Sequence, residues 1–195
     1  MPIEIVTLTG EALKRTLDSL AQLRISVFRD WPYLYEGSLD YEAEYLQRYA
    51  EADGAVVVGA YDGDRLVGAA TGEPLGEELE EFRTPFEAGG YNPNEIFYLA
   101  ESVLEPAYRG QGLGHRFFDA REAHAKRLGY RQAAFCAVVR PENHPLKPAE
   151  YRPLNGFWHK RGYKKLDGIT VNFPWTDIGE KEESKKVMQV WFRKL

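Results

Sequence analysis

The stretch Tyr108-Arg109-Gly110-Gln111-Gly112-Leu113-Gly114 constrains this chain more than any other, because it joins an apolar run at 96–104 to a helix-patterned segment at 115–128. A strand that enters a glycine-rich turn and leaves as a helix presents unpaired N–H groups at the positive end of the helix dipole. Such a turn is built to hold a phosphate. Spacing decides among phosphate carriers. A dinucleotide fingerprint starting at Gly110 needs glycine at 115, where the chain has His115, and no acidic residue ends the next strand, 133–139, to hold a ribose. A P-loop starting at Gly110 needs the same glycine followed by Lys and Ser or Thr, and the chain reads His115-Arg116-Phe117. Neither nucleotide pattern fits.

What remains is Arg109-x-x-Gly112-x-Gly114, preceded by strand, by Leu104-Glu105-Pro106 and by Tyr108. This pattern resembles the acetyl-CoA signature of the GNAT acyltransferase superfamily. The resemblance implies that Arg109, Gly110, Gln111, Gly112, Gly114 and His115 surround the pyrophosphate of CoA. It also implies that Ser102, Val103 and Leu104, on a splayed strand, hydrogen-bond the pantetheine as a neighbouring strand would. The fold it implies is α/β: a mixed, mostly antiparallel central sheet of about six to seven strands, splayed at the cofactor site and flanked by helices.

A chain of 195 residues suits one domain over 1–195, with a core large enough to bury most of its apolar surface. Apolar residues at 44% and aromatics at 13% describe a packed protein rather than a disordered one. The apolar runs are of strand length and the N-terminus lacks the pattern of a signal peptide, so a soluble, cytoplasmic protein with no membrane partner is expected. The lone Cys136 has no disulfide partner and suits a reducing compartment, as a small buried side chain more than as a nucleophile. With a net charge of −5 and no long basic run, nucleic acid is excluded as an expected partner. CoA must then be met by local positive groups, Arg109 and the loop amides first, with Lys160 and Arg161 as further candidates. A homodimer stays open.

Alternation at 3–8 predicts a strand, and Thr9 stands as N-cap to a helix carrying Leu13, Leu17, Leu20 and Val27 that ends before Trp31-Pro32. Tyr41, Tyr45 and Tyr49 recur every fourth residue along a second helix, 40–50. Their stripe either packs on the sheet or, with Trp31, Tyr33 and Tyr35, walls an acceptor pocket. Strands at 55–61 and 66–71 flank Asp62-Gly63-Asp64, a hairpin turn. A short helix and loop over 73–94 lead to the central strand 96–104. Further strands are expected at 133–139, 169–173 and 187–192, and His124 is expected as a packed residue of the helix after the glycine loop.

Phe157-Trp158-His159-Lys160-Arg161-Gly162-Tyr163 resembles a second GNAT segment, in which Trp158 takes the place of the tyrosine that many members use to protonate the departing thiolate. An indole N–H has no usable acidic proton. Either Tyr151 or Tyr163 supplies one, or the thiolate leaves unaided, the simpler case for a thiol with a pKa of about 8.5. The family's chemistry also requires a base near the splay, and Glu101 is the one carboxylate in Tyr98–Leu104. It is read as that base, against an internally paired carboxylate. The proline-rich link from Arg140 to Pro153 holds Asn143, the match to an asparagine that touches pantetheine, and His144, an alternative base. Arg140 and Arg152 bracket this link and suggest an acceptor with an acidic group. The expected activity is transfer of an acetyl group from acetyl-CoA to a primary amine of a small molecule, with no metal. A protein amino group as acceptor, or a non-catalytic acyl-CoA-binding module, are the alternatives.

Overall fold

The computed structural model describes residues 2–195. The alternating N-terminal residues form β1 (Glu4–Leu8). The helix expected next is broken in two, α1 (Gly10–Lys14) and α2 (Leu17–Phe28). Thr9 holds the N-cap position without a side-chain capping bond, and at the break the Thr16 hydroxyl donates to the Ala12 carbonyl at 3.1 Å. A hydroxyl that bonds back by four residues competes with the helix ladder. Ser38 caps α3 (Leu39–Glu51) by accepting from the Tyr41 amide at 3.3 Å.

The hairpin forms as expected, between β2 (Val56–Asp62) and β3 (Arg65–Pro74). Then come α4 (Glu80–Ala88), the short strands β4 (Ile96–Tyr98) and β5 (Ser102–Leu104), and α5 (Leu113–Arg127). The chain ends with β6 (Gln132–Val138), α6 (Asn155–Lys160), β7 (Lys164–Trp175) and β8 (Ser184–Lys194).

The strands make one sheet in the order β1-β2-β3-β4-β6-β8-β7, with β5 paired to β3 alone. Every pairing is antiparallel except β4 with β6. Eight strands replace the expected six to seven because the central strand is split in two. Period-two alternation divides the core: Val57 faces one apolar cluster, Val56 and Val58 the other. Leu13, Leu20, Leu46 and Phe86, from α1 to α4, pack on the first face. Phe117, Phe118, Phe157 and Trp158, from α5 and α6, pack on the second. Among the described residues no helix is long and apolar enough to cross a membrane.

Candidate active site

The break at 99–101 creates the site. The Leu99 amide still bonds the Ala134 carbonyl of β6 at 2.8 Å, but the Ala100 amide turns to the Thr71 carbonyl at 3.1 Å. From there β5 runs with β3, in the register Ala70↔Ser102, Ala69↔Val103 and Gly68↔Leu104. The register between β4 and β6 ends at Tyr98↔Ala134, so β5 and the C-terminal half of β6 diverge and leave a cleft between their unpaired edges.

Beside this cleft, Gly112 caps α5 with a φ of +78°, and Gly110 has a φ of +77°. A Cβ at either would meet nothing within 4 Å, so backbone conformation rather than packing calls for glycine, and the space in front of the loop is open. The amides of Leu113 and Gly114 lie in the first turn, where no intrahelical acceptor exists. The His115 amide instead bonds the Gly112 carbonyl at 3.1 Å and its ring packs edge-on against Phe157 at 4.7 Å. Arg109 donates from Nε to the Leu104 carbonyl at 3.1 Å, which lays a half-exposed guanidinium over the end of β5. Gln111 is exposed and donates to the Ala107 carbonyl at 3.2 Å. On β5, Val103 is buried, Leu104 half-buried and Ser102 exposed.

Glu101 sits at the break and lines a cavity of about 80 Å³. Its carboxylate is paired with Arg24 and accepts from Thr71, from the Tyr45 hydroxyl at 2.9 Å and from the Tyr49 hydroxyl at 3.3 Å. Burial pushes its pKa up, but Arg24, the Thr71 hydrogen bond, Arg48 and Tyr45 together outweigh burial and hold it below the ordinary carboxylate value. Of the two sequence alternatives for Glu101, the internally paired carboxylate is what the structure shows, in a carboxylate that also faces the cavity. The tyrosine stripe divides. Tyr41 and Tyr45 wall the cavity with Tyr33 and Tyr35, whereas Tyr49 is buried behind it against Glu101. Trp31 packs instead on His144 and Tyr151.

Two arginines that sequence reasoning passed over support this site. Arg24 stands four residues after Leu20 on the apolar face of α2, between Glu42 and Glu101. Arg121, 1% exposed and four residues after Phe117, donates to the Thr71 and Glu101 carbonyls at 3.0 Å and to Ser102 Oγ at 2.9 Å. It clamps the backbone on both sides of the break. A charge on an apolar stripe was the available signal in each case. Behind them Arg48 pairs with the buried Glu73 and Glu78. Burial, then the Glu78 charge, push Glu73 up to about 9 against the pull of Arg48.

Other candidates are placed elsewhere. Burial pushes the Cys136 thiol up to about 12, the behaviour of a small core side chain. His124 is buried with Nε2 2.9 Å from the Gly54 carbonyl. Tyr163 is buried and donates to Glu122 at 2.9 Å, so its proton faces away from any thiolate. Trp158 packs between Phe135 and Trp191 with ring centroids at 5.1 and 5.0 Å. Arg161 is tied to Asp119 and Glu122. Asn143 and Arg152 are exposed, and His144 accepts from the Leu146 amide at 3.2 Å. Arg140 is not free for a substrate carboxylate: it grips Asp177 through two donors at 2.6 and 2.9 Å and reaches the Pro32 and Tyr33 carbonyls at 2.8 and 2.6 Å.

The model of the acetyltransferase (GNAT) family matches residues 20–162. The chain belongs to the GNAT acetyltransferase family. Solved structures share the fold of this GNAT chain at low identity. An N-acetyltransferase from Staphylococcus aureus Mu50 is 12% identical with a TM-score of 0.63, over 100% of this chain and 99% of that one. The PaiA N-acetyltransferase of Thermoplasma acidophilum, in complex with coenzyme A, is 16% identical with a TM-score of 0.54, over 100% of both chains. YncA of Salmonella typhimurium, solved with its cofactor acetyl-CoA, is 12% identical with a TM-score of 0.60, over 98% of this chain and 94% of that one. No curated protein matches the sequence. Acetyl-CoA is the co-substrate of the family. The open cradle at Gly110 and Gly112, the unpaired first-turn amides and the unpaired edge of β5 fit its pyrophosphate and its amide-bearing arm.

Proposed function

We propose that this GNAT protein transfers the acetyl group of acetyl-CoA to the primary amine of a small molecule. One observation carries the reading: the cleft between β5 and β6 and the aromatic cavity meet at Glu101, where an acyl donor lying along one faces an amine entering by the other. The narrow cavity favours a small molecule over a protein chain. Both ends of the chain, β1 and β8, lie in the same sheet, which supports one acetyltransferase domain over 1–195. The buried, unpaired Cys136 suits the cytoplasm.

The loop of Arg109, Gly110, Gln111, Gly112 and Gly114 binds the pyrophosphate, while Ser102, Val103 and Leu104, joined by Asn143 from the proline-rich link, align the pantetheine. His115 contributes its position at the start of α5 rather than its amide. Bound acetyl-CoA supplies a thioester carbonyl for the amine to attack. The acceptor ammonium first releases one proton to solvent and so exposes its lone pair. As the new N–C bond then forms and the C–S bond breaks, the nitrogen again becomes positively charged and loses its second proton toward Glu101, an ionised carboxylate in the cavity wall. The thiolate takes its proton from water, because Trp158 offers none, Tyr163 points to Glu122, and Tyr151 packs on Trp31 outside the cavity lining. The net change converts an ammonium and a thioester into an amide, a thiol and one proton.

Incubating the protein with acetyl-CoA and a panel of primary amines, with thiol release and product mass both read, tests the proposal. Amine-dependent thiol release with an acetylated product is expected. CoA binding without turnover on any amine would leave the acyl-CoA-binding alternative.

A further inference from the structure

The cavity at Glu101 does not end at the tyrosines. A second chamber of about 180 Å³ adjoins it and shares Tyr35, Tyr41 and Trp175 with it, so the three rings form a neck between an inner and an outer space. The inner space is lined mainly by aromatic and aliphatic groups and has two charged walls, Arg24 and Glu101. The outer space has Glu36 and Glu183 as its charged walls, with Ser38 between.

Charge along this path is negative. Among the described residues Arg24 is the single cation lining it, and it is already held by Glu42 and Glu101 with its guanidinium 4.6 Å from the centre of the Tyr45 ring. Three carboxylates, Glu101, Glu36 and Glu183, line the two spaces. Glu36 is paired with Arg29 at 2.7 Å, but that pair is about half exposed on both sides and screened by water. A carboxylate carried in by an acceptor would lose its hydration beside like charges and find no uncommitted cation to pair with. An ammonium would pass ring faces, which attract cations, and end beside a fixed negative charge.

We infer that the acceptor is a cationic amine with a slender apolar body and no carboxylate, an alkylamine or arylalkylamine, threaded from the outer chamber through the neck of Tyr35, Tyr41 and Trp175 toward Glu101. This rests on the amine acetyltransfer proposed above. It replaces the acidic acceptor suggested by Arg140 and Arg152, since Arg140 is spent on Asp177 and the exposed Arg152 lines neither space.

The sharpest comparison is 2-phenylethylamine against L-phenylalanine, which share ring and amine and differ by the carboxylate. With acetyl-CoA saturating, kcat/KM for 2-phenylethylamine should exceed that for phenylalanine at least a hundredfold. Tyr41→Ala should raise the KM for 2-phenylethylamine about tenfold while kcat and the acetyl-CoA KM stay within threefold, and Tyr41→Phe, which keeps the ring face, should restore it. Equal or better use of phenylalanine or glutamate overturns the inference and leaves the acetyltransferase reading standing. Calorimetry separates the two in the other direction: binding of 2-phenylethylamine without turnover overturns the acetyltransfer reading and upholds the cationic site. Absence of binding to the CoA-loaded protein overturns the inference.

Discussion

Glu101 and Glu73 are two buried carboxylates with opposite charge states, Glu73 on β3 and Glu101 at the break beside it. Arg24 and three hydroxyls face Glu101 and keep it ionised, whereas burial first and the Glu78 carboxylate second favour the protonated form of Glu73. Glu101→Gln retains the size and most hydrogen-bond partners but cannot take a proton, so turnover should fall about a hundredfold with CoA affinity by calorimetry unchanged. Turnover near that of the parent protein would sink its role as proton acceptor. The two groups also bend stability in opposite directions with pH. Glu101, lowered in the folded state, stabilises above the ordinary carboxylate value, and that contribution is lost as pH falls through its depressed pKa. Glu73 is raised from 4.5 to about 9, so the folded state holds a proton that the unfolded chain has lost across that window, and stability falls as pH climbs through it. Glu73→Gln should remove this slope. Its gain in Tm over the parent protein should be small at pH 5 and larger at pH 9, and an equal gain at both would show that Glu73 ionises normally.

At the scale of elements, the start of α5 and the split central strand define the cofactor cleft. Gly112→Asp forces a side chain onto a left-handed backbone and adds a negative charge at a helix N-terminus that must receive a pyrophosphate. CoA binding should weaken at least tenfold, about 1.4 kcal/mol, in a variant whose circular dichroism is unchanged. The loop was legible because its residues combine local backbone demands with a fixed place between strand and helix. The split was not. The run 96–104 is apolar but for Glu101 and Ser102 and reads as one strand, and the break arises because β3 and β6 draw its two halves apart, a contest between distant partners that no local pattern records. The same limit applies to the site: Glu101 stood out as an isolated acid, but Arg24, Arg121 and Thr71 gain their meaning only where α2, α5 and β3 converge. Arg140 was misjudged for the same reason, its partner Asp177 lying beyond α6 and β7 in sequence.

Taken as a whole molecule, the succession of strands and helices along the chain is legible in the sequence, and the long last hairpin, β7 and β8, outruns the short expected strands because end residues such as Lys164 and Lys185 carry no apolar signal. Arg140 joins the end of β6 to the loop after α2 and to Asp177 in the link between β7 and β8, three segments remote in sequence. Removing it leaves Asp177 with Lys186 as its remaining cation, strips the Pro32 carbonyl of its side-chain donor and leaves the Tyr33 carbonyl with Trp175 alone. Arg140→Ala should therefore lower the unfolding free energy by about 3–5 kcal/mol, read as an earlier denaturant midpoint. A loss under 1 kcal/mol would mean that the latch closes nothing.

The divergence of β5 from β6 also gives the protein a seam. Where other sheets close on themselves, this one carries two raw selvedges through its middle, and the missing thread is a small molecule that the cell makes and spends. A ligand present at a hundred times its Kd adds about 2.7 kcal/mol to the stability of whatever it binds. The lifetime of this protein is thereby tied to the supply of its acyl donor, so that starvation for the donor loosens the enzyme along the same line at which it would have worked.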